Sequence, residues 1–490
     1  MRLQHLLLTF LATGAWATPG IEMVDAIRLQ QPERAQQLLA VGAEVNAADA
    51  DGSTALQWAV HHGYTELASA LLRAGAHVRH VNDYGATALS EAVVRGDVAL
   101  IRALLKAGAD PDSANRRGQT ALMLVARTNN VAAAQELLRH GANPNAVETT
   151  KGQTALMWAA AQSQPEMVRL LLKAKAQVDV VSYIPLHQRQ VSGEPRAQHR
   201  VSGGFTALLF AARQGCLDCV RALVEQGRAD LELADPDGIT PLNLAVDNFN
   251  FDVAAWLLSK GADPNIWDLW GRTPLYLAVD LNTVPRGGRA DMVSLDKTTS
   301  LQLIELLLKA DADPNLQLKL FPPYRAVGPD RGADQMLTIG ATPLLRAAKA
   351  ADLPAMRLLL AHGARLDLAQ NAGITPLMAV AGVGTGGVDT RGTQKTEAQV
   401  VESVRLLLAA GGRVNDADRQ GRTALHAAAQ FGFNEVIRAL VAAGAELQAK
   451  DARGFTAKDY AEGKGGTVGR GAAPALANVE TVRMLQQFMK

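Results

Sequence analysis

Cys216 and Cys219 sit in the run Gly-Cys-Leu-Asp-Cys-Val and are the only two cysteines among 490 residues. A Cys-x-x-Cys spacing at the start of a helix can lower a thiol pKa and suits thiol–disulfide exchange. The same spacing suits a local disulfide in an oxidising compartment, and Cys219 also fits the small apolar position that opens this helix in other segments. Val220 excludes the CxxCH haem signature. His61, His62, His77 and His80 lie close in sequence and could meet a metal. No cysteine or carboxylate pattern completes that donor set, so no metal is expected. Gly382-Val-Gly384-Thr-Gly386-Gly387 has the form G-x-G-x-x-G, but it follows a helical segment rather than a strand, so a dinucleotide site fails its context and a loop is expected. G-x-S-x-G, Walker and H-E-x-x-H motifs are all missing from the sequence. No catalytic residue and no cofactor is assigned, and the chain is not expected to be an enzyme.

The elements that would position such groups follow from the bulk of the chain. At 490 residues it exceeds one ordinary core, which leaves several domains or an extended repeat array. Lys plus Arg total 49 against 48 Asp plus Glu, so there is no basic field to hold phosphates and nucleic acid is not an expected partner. Aromatic residues make up only 4%, which suits many short, closely packed helices. Residues 1–17 have the form of a signal peptide: Arg2 as positive flank, an apolar run from Leu6 to Ala12, and Ala15-Trp16-Ala17 as cleavage motif. Cleavage is expected after Ala17. The apolar run is far short of the roughly 20 residues that span a bilayer, so no membrane span is expected after cleavage. The excess of 35 Arg over 14 Lys and the lack of any Asn-x-Ser/Thr sequon lean towards a bacterial periplasm. The expected location is periplasmic or secreted.

Self-comparison shows a period. Thr-Ala/Pro-Leu begins at Thr54, Thr87, Thr120, Thr154, Thr206, Thr240, Thr273, Thr342, Thr375 and Thr423, with a degenerate copy at Thr456. The successive spacings are 33, 33, 34, 52, 34, 33, 69, 33, 48 and 33. Segments such as 239-ITPLNLAVDNFNFDVAAWLLSKGADPNIWDLWG-271 and 422-RTALHAAAQFGFNEVIRALVAAGAELQAKDARG-454 resemble the ankyrin family, whose repeat of about 33 residues carries T-P-L-H-x-A, a turn and two helices. The resemblance covers residues 21–490. It implies an all-α solenoid of stacked helix-turn-helix units with projecting fingers: a capping helix pair over 18–52, ten repeats over 53–454 and a capping repeat over 455–490.

Each motif position has a physical role. The Thr hydroxyl accepts from free amides at the first helix, and Pro after it lacks a donor that would go unpaired. Leu-Leu pairs such as Leu71-Leu72 and Leu257-Leu258 are expected to pack the second helix on the first. Gly75, Gly108, Gly141, Gly261, Gly363 and Gly444 end that helix in a left-handed conformation.

Surplus residues fall near 183–201, 284–297, 318–337 and 383–398. In two of the extended units Lys175 and Asp311 replace the terminal glycine. A left-handed non-glycine costs on the order of 1 kcal/mol, so the chain is expected to leave these helices by a different path. The resemblance implies that turns between repeats project as fingers beside a concave face, which puts the insertions at 183–201 and 318–337 on one lip. Tyr183, His187, Arg189, Phe321, Tyr324, Arg325 and Arg331 in these segments are candidate partner-binding residues. So are the large side chains near ordinary finger tips, Tyr84, Arg116, Arg117, Trp267, Trp270, Arg272 and Arg422, since aromatic residues and Arg anchor interfaces. The insertions equally suit spacers, which solenoids tolerate. Trp58, Trp158 and Phe210 on first helices are expected to pack against the next repeat.

The expected function is an exported scaffold that binds a protein partner through its concave face, finger tips and inserted loops. The alternatives are a redox or chaperone-like helper using Cys216 and Cys219, and a small-ligand or glycan binder using Trp267 and Trp270.

Overall fold

The computed structural model describes residues 18–184, 189–191, 198–200, 203–282, 296–321, 338–384, 395–465 and 477–490. The chain forms two compact units, residues 1–177 and 178–490. The first contains five helix pairs: Pro19–Arg28 with Pro32–Ala40, Ala55–His62 with Thr65–Arg73, Ala88–Arg95 with Val98–Lys106, Ala121–Thr128 with Val131–Arg139, and Ala155–Ala161 with Pro165–Lys173. In the second, the described residues contain seven: Ala207–Gln214 with Leu217–Arg221, Pro241–Asp247 with Phe251–Ser259, Pro274–Asn282 with Ser300–Lys309, Pro343–Ala350 with Leu353–Ala361, Pro376–Ala381 with Glu397–Ala409, Ala424–Phe431 with Asn434–Ala442, and Ala457–Ala461 with Val479–Phe488. Within each unit every first helix packs on the first helix of the next pair. A helix pair cannot cover its own apolar face, so neighbours supply the core.

Threonine starts the first helices as its chemistry requires, although at Thr375 the hydroxyl makes no cap bond. Thr54, Thr240 and Thr342 accept the amides of Gln57, Asn243 and Leu345 at 3.4, 3.2 and 3.1 Å. The second helices pack less symmetrically than the Leu-Leu pairs suggest. Leu71 and Leu257 are fully buried, whereas Leu72 and Leu258 sit half-exposed at the edge of the stack.

The expected change of exit path at Lys175 and Asp311 does not occur. Both residues stay left-handed, at φ 66° and 62°. Lys175 N–H donates to the Leu172 carbonyl and Ala176 N–H to that of Leu171, the pattern that Gly75 and Ala76 make with Leu72 and Leu71. An asparagine of the preceding repeat holds the path. Asn145 Nδ2 donates to the Lys175 carbonyl at 3.4 Å while its Oδ1 accepts from Gln177 at 2.7 Å. Asn265 does the same for Asp311 and Asp313, at 3.0 and 2.7 Å, and Asn315 for Gly363 and Arg365, at 3.1 and 2.8 Å. Asn46 and Asn415 repeat it elsewhere. The Asn265 and Asn315 clamps reach across the insertions near 284–297 and 318–337, so the surplus chain there leaves the repeat register intact. Lys175→Gly and Asp311→Gly are therefore each expected to stabilise the protein by about 0.5–1 kcal/mol, read from denaturation midpoints. A loss of stability on either substitution would show that the side chain outweighs the backbone strain.

The two spacings of 34 are absorbed differently. Between Thr206 and Thr240 the extra residue lengthens the second helix into a π-helical turn at Ala222–Gln226, which moves the left-handed position from Gly227 to Arg228, φ 57°. Between Thr120 and Thr154 it enters the finger turn. Apart from isolated antiparallel bridges such as Ala48 to Thr54, the described residues contain one short antiparallel hairpin inside the 183–201 insertion, Arg189–Val191 paired with Gln198–Arg200.

Candidate protein-binding surface

A carboxylate or carboxamide five residues before Thr builds each ordinary finger. Asp49 accepts the amides of Asp51 and Ser53, at 3.0 and 2.9 Å. Asn82, Asn115, Asp235, Asp268, Asp418 and Asp451 each accept from the amides two and four residues on. In the finger with one residue more, Glu148 stands in, and its longer side chain reaches the amides of Thr150, Lys151 and Gln153. Burial opposes its ionisation, but these bonds and the Thr150 hydroxyl outweigh it and hold the carboxyl below its usual range. Neighbouring tips are then laced by backbone bonds such as Leu269 N–H to Asp237 and Lys319 N–H to Trp270, at 2.7 and 2.8 Å. Gly271, at φ 82°, permits that approach, since a Cβ there would stand 2.6 Å from the Lys319 amide. Sequence reasoning missed this acidic position, although its fixed distance from Thr was visible.

The rigid tips divide the candidate residues. Tyr84 is 64% exposed and Trp267 50%, and Arg116 and Arg117 also face solvent. Lys319 Nζ lies 5.7 Å from the Trp267 ring centroid. Trp270 and Arg272 do not belong to this surface: they are 3% and 5% exposed. Arg272 Nε donates to Asp268 at 2.6 Å, its Nη1 lies 3.4 Å from Asp247, and its guanidinium covers the Trp270 ring at 5.0 Å. A ligand surface needing both Trp267 and Trp270 is thereby removed. Arg422 is likewise tied to the buried carboxylate of Asp418, at 2.6 Å, and is only partly accessible. Tyr183 and Phe321 are exposed. His187, Tyr324, Arg325, Arg331 and the side chain of Arg189 lie outside the described residues.

First-helix side chains follow a second register, seven residues after Thr in one repeat against four residues after Thr in the next. His61 meets Glu91 at 2.9 Å, Arg127 covers Trp158 at 5.5 Å, and Arg346 donates to Asp280 at 2.6 Å. Trp158 therefore meets the preceding repeat, and its indole N–H donates to Gln153 at 3.0 Å. Trp58 turns to its own repeat, donating to Asp49 at 2.8 Å and stacking on His62 at 5.7 Å. Phe210 is buried beside Phe205 and Arg213. Arg117 and the turn 148–153 form one wall of a cleft of about 280 Å³, and Arg127, Met157 and Trp158 form the other.

Cys216 and Cys219 are joined by a disulfide, with the Cys216 sulfur accepting the Cys219 amide at the helix start. His80 is bonded to the Gly52 carbonyl at 2.7 Å, and His61 and His62 face each other edge to face. Among the described residues no group of His, Cys, Asp or Glu is arranged to hold a metal, and no helix is long and apolar enough to cross a membrane.

Asp235 differs from Asp268 and Asp418 because Ile239 stands where they have an arginine. Burial pushes its carboxyl up from 3.8 to about 6. Between these values the folded state binds a proton that the unfolded state does not, so stability falls as pH rises from 3.8 to about 6 and stays lower above. Asn82 and Asn115 fill the same turn position without charge. Asp235→Asn should therefore stabilise the protein at pH 7 by about 1–2 kcal/mol after allowance for solvent screening, and by nothing near pH 4. Urea midpoints at the two pH values measure the difference; equal shifts at both would remove the buried carboxylate as the cause.

The chain matches the family model described as "Ankyrin repeats (3 copies)" over residues 23–115, 92–182, 186–268 and 395–462, and "Ankyrin repeats (many copies)" over 244–295. The putative palmitoyltransferase ZDHHC13 of Danio rerio is 35% identical over 125 residues, 26% of this chain and 16% of that protein. The B-cell lymphoma 3 protein homolog of Mus musculus is 31% identical over 170 residues, 34% of this chain and 30% of that protein. The chain thus spans 30% or less of the length of these two curated relatives. A solved structure of the human ASB11 ankyrin repeat domain aligns with 49% of this chain and 98% of its own, at 24% identity and a TM-score of 0.39.

Proposed function

Because this chain belongs to the ankyrin-repeat family, we propose that it is an exported, non-catalytic scaffold whose finger tips, first-helix face and inserted loops engage a protein partner. The observation that carries this reading is the contrast at the tips. The acidic turn residues and the tip-to-tip bonds spend their polar groups on rigidity, while Tyr84, Arg116, Arg117 and Trp267 are left exposed on that frame. Exposed aromatic and arginine side chains held without loss of freedom are the economical way to build binding anchors. The hydroxyl of Thr18 caps the helix Pro19–Arg28, so cleavage after Ala17 would leave a capped helix at the new terminus.

Affinity capture from the source cell on immobilised protein, with a variant lacking 185–201 and 322–337 alongside so that the tip bonds of Leu318 and Lys319 are kept, tests the reading. A protein enriched by the intact chain and lost from the variant supports binding through the loops; no enriched protein would sink the scaffold. Mass spectrometry of the protein from its cell should find Thr18 as the first residue, and an intact Met1 would remove export.

A further inference from the structure

The cleft between Arg117, the turn 148–153 and Trp158 lies wholly within the first unit and holds charge that the fold leaves unused. Arg117, Arg127 and Lys151 line it, and among the described residues none of the three makes an ion pair. Arg127 rests its guanidinium on the Trp158 face at 5.5 Å, which fixes the group without neutralising it. The single acid in the wall, Glu148, is buried and spends its oxygens on the amides of Thr150, Lys151 and Gln153. Three cations therefore face one committed anion across a cavity of about 280 Å³, room for one or two side chains.

Deepening the scaffold reading, on which this step rests, the geometry points to an acidic segment of a protein partner as the occupant: a Glu or Asp carboxylate between Arg117, Arg127 and Lys151, with an adjoining apolar residue against Trp158. Arginine presents paired donors that match a carboxylate. The indole N–H is already bonded to Gln153, so the ring offers its apolar face rather than a donor. A phosphate fits less well. The amides of this turn, which would otherwise form an anion nest, are taken by Glu148, and a dianion would face that carboxylate at close range.

The test uses the full chain and fluorescein-labelled short peptides of alternating Glu and Leu, Gln and Leu, or phosphoserine and Leu, with anisotropy as readout. The Glu peptide should bind, weaken as salt is raised, and lose at least about tenfold in affinity to a variant carrying Arg117→Glu, Arg127→Glu and Lys151→Glu. Arg127→Gln alone should lose about threefold, and Arg438→Glu, on the exposed side of a helix in the other unit, nothing. Equal binding of the Gln peptide, unchanged affinity in both cleft variants, or binding confined to the phosphoserine peptide would each overturn the assignment. Circular dichroism reports whether the triple variant folds, and if it does not, Arg127→Gln decides. A protein captured equally by the wild type and the folded cleft variant would reject the cleft and keep the scaffold; a capture that enriches nothing, beside peptides that bind as expected, would do the reverse.

Discussion

Arg346→Met is expected to destabilise the second unit by about 3–5 kcal/mol. The Arg346 side chain is 1% exposed, and its Nε donates to Asp280 at 2.6 Å across 66 residues of sequence. The two residues occupy the cross-repeat register that elsewhere pairs His61 with Glu91. Here it joins Pro274–Asn282, the first helix of the longest repeat of the chain, to Pro343–Ala350, the first helix of the next. Methionine fills much of the volume, so the expected loss comes from breaking the buried, charge-assisted bond between Arg346 and Asp280. Adding Asp280→Asn removes that charge and should return part of the loss, with a coupling of about 0.5–3 kcal/mol between the two sites. Urea denaturation of the two single variants and the double variant measures it. Strictly additive losses would mean that the pair contributes packing and not charge.

The contrast between what could and could not be foreseen has a physical basis. The first-helix starts were legible at Thr54 through Thr423 because a free helix terminus demands a cap, and few residue types supply one. The family follows from the same residues. Burial of Trp270 and Arg272 was not legible, because Trp and Arg beside a turn ordinarily suggest exposed anchors. What takes them inside is Asp268, four residues before Arg272, together with Asp247 from the preceding repeat. Half of that signal, the acid at a fixed distance from Thr, stood in the sequence; the other half required knowing which repeats touch. The two spacings of 34 are a clearer limit. They are identical as numbers, yet one surplus residue enters the turn behind Glu148 and the other a π-helical turn at Ala222–Gln226. Likewise the replacement of glycine by Lys175 and Asp311 suggested a new path. The path is kept because Asn145 and Asn265, some 30 and 46 residues earlier, clamp the carbonyls concerned. Of the candidate binding residues, Tyr84, Arg116, Arg117 and Trp267 stand where a partner can reach them. The cation-lined cleft was missed, since Arg127, Lys151 and Trp158 converge only through the stacking of neighbouring repeats.

The finger that carries Trp267 gives the second large effect. Asp268→Ala should cost about 3–5 kcal/mol, whereas Asp268→Asn should cost only about 1–3. Asp268 accepts the amides of Trp270 and Arg272, at 3.0 and 2.9 Å, as well as Arg272 Nε. Asparagine can keep the two amide bonds, as Asn82 and Asn115 do in other fingers, so the difference between the variants isolates the turn from the ion pair. With alanine both go together. Arg272 is then left buried against Asp247 alone, at 3.4 Å, and the Trp270 carbonyl no longer sits where the Lys319 amide meets it. The tip should loosen even though Trp267 is untouched, so a partner that uses Trp267 would be held less tightly by Asp268→Ala than by Asp268→Asn. Chemical denaturation gives the stabilities, and retention of a captured partner gives the binding. Equal stability losses in the two variants would assign the whole effect to the charge. A partner retained equally by both, despite unequal stabilities, would mean that it does not depend on this finger.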